Sequence, residues 1–253
     1  MTNADSTPVP NHNHVLLFTE DTHTYEFGGE KFVSVTAWVK RFAQPFDEAH
    51  WSKYVAKRDG KPVEQVLKEW ADKRDESCRM GTDVHSFLEH IMLGYAKRED
   101  GFFCPRPHED SEYVNWKHAG LRWIFDHYRY IRPHTIQPEW RVAHPDLGLA
   151  GTIDLYFHGS IRPVLLDWKT NAAIKTSNKY QKMKAPFGAF DDCNWNHYCL
   201  QMNTYRVILK DVYDIDCNDM HLVHLLPGAG GYYQDLSVPD MEDLVRAAMK
   251  ETL

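Results

Sequence analysis

Val164-Leu165-Leu166-Asp167-Trp168-Lys169 is an apolar run that ends in an acidic-x-basic tripeptide. The run reads as a buried strand. Strand side chains alternate faces with a period of two, so Asp167 and Lys169 point one way and Trp168 the other. Thirteen residues before Asp167 stands Asp154, in Gly151-Thr152-Ile153-Asp154, the opening of a second apolar run. If the two strands pair, Asp154 joins Asp167 and Lys169 at one sheet edge. Two carboxylates and an ammonium can hold a divalent metal and help activate a water, the equipment for cutting a phosphodiester. With 36 acidic residues and 16 lysines, about two such tripeptides arise by chance, the standing risk of short motifs. A second one, Asp59-Gly60-Lys61, lies beside Pro62 in turn chemistry and reads as a solvated loop.

Working outward, residues 1–14 read as a disordered tail. Thr24–Phe27 and Lys31–Val35 flank Gly28-Gly29 and predict a β-hairpin. A helical region follows from Thr36 to Lys97, broken at Pro45 and at Gly60-Lys61-Pro62, with Gly94 as a stop for its last helix. Residues 100–109 read as a loop and 110–130 as an amphipathic helix. Three strands are expected over 135–144, 150–158 and 163–169. A long loop covers 171–193 and a helix 194–210. Two short strands, 220–226 and 231–236, precede a terminal helix from Pro239. The class is α+β with an α/β-type core: a mixed central sheet flanked by helices, with an N-terminal hairpin and helical annex. The organisation is a tail over 1–14, a hairpin and helical region over 15–99, and a core over 100–253, the last two forming one structural unit.

The net charge is −7, so no global basic footprint exists for nucleic acid. A local one does: Lys169, Lys175, Lys179, Lys182 and Lys184 fall within 169–184, which lacks Asp and Glu, with Tyr180 inside and Phe187 just after. This reads as a phosphate-tracking loop. The five cysteines, Cys78, Cys104, Cys193, Cys199 and Cys217, form no Cys-x-x-Cys pair. No run is long enough to span a membrane. The expectation is a soluble intracellular protein, of a cytoplasm or a phage- or virus-infected host cell.

Further candidates lie along the chain. Gly81-Thr82-Asp83-Val84-His85 sits on or at the start of a helix, Glu139 lies in the first predicted strand, and Gln201 and Tyr205 share one helix face. The order Gly-Thr-x-x-His, Glu, Gly-x-x-Asp, Asp-x-Lys, Gln-x-x-x-Tyr resembles the PD-(D/E)XK nuclease superfamily, and within it the RecB-like exonuclease branch. The likeness covers residues 78–226. The leading hairpin and Ser34-Val35-Thr36 are similar to those of small phage, viral and mitochondrial genome-maintenance exonucleases.

This resemblance implies a restriction-endonuclease-like sheet and the following roles. Asp154, Asp167 and the main-chain carbonyl of Trp168 would bind Mg²⁺ or Mn²⁺, with His85 as a further ligand. Lys169 would orient or activate the attacking water or stabilise charge on the phosphate. Glu139 would support the second metal or the lysine. Gln201 and Tyr205 would lie along the DNA or beside the lysine, joining Lys175, Lys179 and Lys182 as nucleic-acid contacts. Ile153-Asp154 stands where the superfamily names Pro-Asp. The four-cysteine spacing of its iron–sulfur members is not matched, so no cluster is expected. The implied activity is a metal-dependent exodeoxyribonuclease on single-stranded or free-ended DNA, in repair or recombination, with replication or recombination proteins as partners. The alternatives are a structure-specific or restriction-type endonuclease, and an inactive nucleic-acid-binding module.

Overall fold

The computed structural model describes residues 16–19, 24–27, 29–97, 107, 111–228 and 230–252. The predicted tail at 1–14 and most of the predicted loop at 100–109 lie outside them. The elements in order are β1 (Leu16–Thr19), β2 (Thr24–Phe27), β3 (Glu30–Ser34), α1 (Val35–Lys40), α2 (Glu48–Asp59), α3 (Val63–Ala96) and α4 (Val114–His127). Then come β4 (Gln137–His144), β5 (Leu149–His158), β6 (Pro163–Lys169), α5 (Asn194–Tyr213), β7 (Asp219–Leu226), β8 (Tyr232–Ser237) and α6 (Glu242–Thr252). One mixed eight-stranded sheet runs β1-β2-β3-β5-β6-β7-β8, with β4 on the other edge of β5. Helices flank it, as the sequence predicts. Among the described residues no helix is long and apolar enough to cross a membrane.

Two cores sandwich the sheet. Trp140, Ile153, Tyr156 and Leu165 pack with Leu200, Met202 and Leu209 of α5 on one face. Leu155, Leu166, Trp168 and Val223 pack with Val84 and Leu88 of α3 and with Trp123 and Ile124 of α4 on the other. α3 comes very close to α4, because a Cβ at Gly120 would stand 2.5 Å from the Leu88 side chain. A Lys117–Asp83 ion pair at 2.6 Å fastens the same contact two residues from His85.

The breaks in the helical region have local causes. Asp47 caps α2 by accepting from the His50 N–H. Gly60 ends it in the left-handed conformation, which glycine adopts without a Cβ clash. Pro62 then starts α3. Asp59-Gly60-Lys61 is thus the turn between two helices, with Lys61 paired to Glu69 at 2.7 Å. Gly94 does not end α3: the helix runs to Ala96 because Tyr95 is buried and its hydroxyl donates to the Tyr128 carbonyl at 3.1 Å. Tertiary packing here outweighs the cost of a helical glycine, about 1 kcal/mol. β1, not predicted, pairs antiparallel with β2.

On β7, which pairs in parallel with β6, His221 donates to Asp235 Oδ1 at 2.5 Å and Asp219 Oδ1 at 3.1 Å. Trp123 Nε1 also donates to Asp235, at 2.8 Å. The Asp235 hydrogen bond raises the His221 pKa above the ordinary imidazole range. Burial works to raise Asp235, but the His221 and Trp123 bonds win and hold it below the ordinary carboxylate range. A raised folded-state histidine contributes fully below the unfolded value of about 6.5 and loses its contribution as pH rises through the folded value. His221→Gln should therefore cost about 1.5–3 kcal/mol in urea unfolding between pH ~4 and ~6.5, where Asp235 is ionised and His221 charged, and less in alkali. Equal costs in acid and alkali would make the contact one of neutral packing.

Candidate active site

The site lies where one edge of β5 changes neighbours. β3 pairs in parallel with Leu149 and Ala150, and β6 pairs antiparallel with Leu155 to His158. Both use the edge opposite β4, because Ala150 and Leu155 are each paired to β4 as well. Between them, no described strand pairs with residues 151–154 on that edge. The β5–β6 ladder stops at Leu155–Leu166, one step before Asp154 and Asp167. There the Asp154 carboxylate takes over a main-chain role: its Oδ2 accepts from the Trp168 N–H at 2.8 Å.

Alternation also fails at this step. Ile153 and Tyr156 belong to the core under α5, whereas Leu155 and Phe157 belong to the core under α3 and α4. Opposite Asp154 in the register stands Glu139, and the two drop out of an otherwise continuous β4–β5 ladder. Glu139 has a φ of 44°, left-handed backbone that a non-glycine residue holds at a cost of about 1–3 kcal/mol. This local twist brings the Glu139 and Asp154 carboxylates together with the helix histidine.

His85 reaches them from α3. Its Nδ1 is 3.4 Å from Asp154 Oδ2 and 3.6 Å from Glu139 Oε1, and its Nε2–H donates to the Trp168 carbonyl at 3.2 Å. Among the described residues, His85, Glu139 and Asp154 are the group of three whose ligand atoms lie within 4.8 Å of one another, as a metal ion needs. Two carboxylates, an imidazole and a nearby main-chain carbonyl form an oxygen-rich donor set of the kind that holds a divalent cation. Of the ligands predicted from sequence, His85, Asp154 and the Trp168 carbonyl are brought together. Glu139, read as a supporting acid, stands in the set itself. Asp167 lies outside it, its buried carboxylate ion-paired with Lys169.

The electrostatics follow from crowding charges in a confined place. Burial and the neighbouring Glu139 push the Asp154 carboxyl up, against the pull of His85 and Lys169. Burial and Asp154 push Asp167 up to about 6, against Lys169. For His85, burial opposes the charged ring, but Asp154 and Glu139 overcome it and hold the pKa at about 9. Lys169 behaves likewise: burial works against the ammonium, and Asp167 and Asp154 more than offset it, so its pKa is raised. The sequence left open whether this lysine is a base or a charge stabiliser. Asp167 and Asp154 favour its ammonium form. Tyr198 of α5, not among the sequence candidates, places its ring 4.5 Å from Lys169 Nζ and donates its hydroxyl to Asn171 Oδ1 at 2.8 Å.

Gln201 Nε2 donates to the Tyr205 hydroxyl at 3.3 Å. The Tyr205 ring is 3% exposed and lies on Gly151, where a Cβ would stand 2.6 Å from it. Gly151 is therefore required for the ring to reach the sheet, and Tyr205 offers no open face on which a base could stack. Met202 and Leu209 are core residues. In the lysine-rich loop, Lys175 and Lys179 are exposed, but Lys182 is paired to Asp191 at 2.5 Å, an acid just outside the acid-free stretch. Phe187, expected beside this loop as an aromatic contact, is instead fully buried against Trp38 and Phe42.

No family profile matches the chain, and no curated protein does. Among solved structures it is similar to a proposed exonuclease from Eubacterium rectale, with 12% identity, coverage of 87% of this chain and 78% of the other, and a TM-score of 0.43. It is also similar to the protein SSO0001, with 13% identity, coverage of 87% and 73%, and a TM-score of 0.34. At these distances chemistry has to be argued from the side chains themselves.

Proposed function

We propose that this chain is a metal-dependent nuclease of the PD-(D/E)XK kind that hydrolyses DNA from free ends, with single strands as its preferred form. The observation that carries the reading is the meeting of His85, Glu139 and Asp154 at the Trp168 carbonyl, next to a lysine paired with Asp167. His85, Glu139 and Asp154 would hold a divalent ion, which when bound lowers the pKa of water and neutralises developing negative charge.

The chain's own groups do the rest. The Trp168 N–H fixes the Asp154 carboxylate, so its orientation does not depend on the ion. Asp167 anchors Lys169, and the Tyr198 ring walls it from the α5 side. An ammonium so placed donates to a non-bridging phosphate oxygen where charge builds up in the transition state, and a preorganised donor needs no reorganisation at that moment. Gln201 and Tyr205 brace the α5 side of the site through Gly151. Lys175 and Lys179 supply phosphate contacts that do not read sequence.

The deciding assay compares linear and covalently closed single-stranded DNA, with Mg²⁺, with Mn²⁺ and in chelator. Loss of the linear strand in metal, with the circle left intact, is the expected result. Cut circles would make the enzyme an endonuclease. Binding without cleavage of either would make it an inactive nucleic-acid-binding module.

A further inference from the structure

Three large aromatic side chains stand in solvent where the chain leaves α1: Phe46 is 66% exposed, Trp51 44% and Tyr54 55%. α2 does not need them for packing, since its buried residues are Ser52 and Ala56, both small. The rings are nevertheless ordered. Phe46 lies 5.7 Å from Trp70 of α3, and Trp51 meets Tyr54 edge to face at 5.7 Å. Trp51, Tyr54 and Arg58 are three and four residues apart and so share one stripe, with Lys57 a turn from Tyr54.

Charge separates the occupants this stripe could take. In the helical arm, made of α2 and the first half of α3, four acids are engaged by its own bases, in Arg58–Asp59, Lys61–Glu69, Lys68–Asp72 and Arg79–Glu76, and Glu48, a turn before Trp51, is exposed. Lys53 and Lys57 are exposed and enter no ion pair among the described residues. Rings with a free ammonium one turn away, at Lys57, suit a strand that offers both bases and phosphates. An apolar protein face would use the rings and leave the lysines unmatched.

The arm is rooted beside the candidate site at its returning end and against the lysine-rich loop at its outgoing end. At its outgoing root, Gln44 donates to the Lys182 carbonyl at 2.8 Å and its main-chain N–H to Asp192 at 2.6 Å, which ties it to the lysine-rich loop. At its returning root, a Cβ at Gly81 would stand 3.7 Å from Thr170 Oγ1, one residue past Lys169 and one helical turn before His85.

We propose that Trp51 and Tyr54 form a base-stacking platform for single-stranded nucleic acid, edged by Lys57. Trp70, level with the root of this platform, is about 22 Å from His85 along α3 at 1.5 Å per residue, a few nucleotides from the site. The inference rests on the nuclease reading for its purpose, but its test is of binding alone.

Anisotropy is measured on the full chain in chelator at low salt, with a labelled single-stranded oligodeoxynucleotide and with an abasic strand of equal phosphate count. Trp51→Ala with Tyr54→Ala should weaken the base-bearing strand by about 10- to 100-fold and leave the abasic strand unchanged. Trp51→Phe with Tyr54→Phe should retain most of the affinity, since a ring is kept. Metal-dependent hydrolysis of bis(p-nitrophenyl) phosphate, too small to reach the platform, should be the same in parent and alanine variant. Unchanged affinity for the base-bearing strand, or an equal loss on both strands, overturns the platform. A parent that fails to hydrolyse the small diester, with the strand-specific loss still present, overturns the nuclease reading and leaves the platform standing.

Discussion

Asp154→Asn should abolish cleavage and weaken divalent-metal binding together, without unfolding the chain. Asp154 lies 3.4 Å from His85 Nδ1 and completes the carboxylate pair with Glu139. Loss of a mere partner of a metal ligand costs about 10–100-fold in affinity or activity, so loss of a ligand's charge should exceed 100-fold in both. The asparagine carbonyl can still accept the Trp168 N–H, which keeps the β5–β6 junction in place. Stability should move the other way. Burial raises the Asp154 pKa, so its ionised form disfavours the folded state at neutral pH. In chelator the variant should melt at or above the parent temperature, the pattern of a residue kept for function at the expense of stability. Calorimetric Mn²⁺ titration and a melting curve on one preparation test both halves. Parent-like metal affinity would remove Asp154 from the ligand set.

Most of the fold was legible because its signals are local. The apolar run at 163–169 and the proline and glycine breaks at 45 and 60–62 each act within a few residues. The side-chain parity of β6 held as well: Leu166 and Trp168 share the core under α3 and α4, and Asp167 and Lys169 lie on the other side, toward α5. What could not be read was long-range or strained. Gly94 looked like a stop because the Tyr95–Tyr128 contact is invisible in sequence. Nothing in the residues around Glu139 announces a left-handed backbone, the conformation in which its carboxylate stands beside His85 and Asp154. Lys182 read as free because its partner, Asp191, comes from across the loop. The aromatic stripe of α2 carried a signal that was missed: an aromatic pair spaced i, i+3 among lysines, on a helix whose buried side is only serine and alanine.

Lys169→Ala should lower cleavage by about 10²–10³-fold, the usual effect of removing one preorganised electrostatic donor. Metal affinity should stay near that of the parent, because the ammonium is not a ligand and its removal takes a positive charge away from Asp154. Some stability is at risk, since Asp167 is 3% exposed and would lose its ion partner. Lys169→Ala combined with Asp167→Asn removes that isolated charge and separates folding from catalysis: the double variant should regain melting temperature and stay inactive. Added alkylammonium ions can then distinguish charge stabilisation from base catalysis. If Lys169 acts as the ammonium its surroundings favour, rescue of Lys169→Ala should track the protonated amine and fade as pH rises through the amine's own pKa. Rescue that grows instead with the free amine would make Lys169 the base that takes the water's proton, and the raised pKa produced by Asp167 and Asp154 would then not govern the working enzyme.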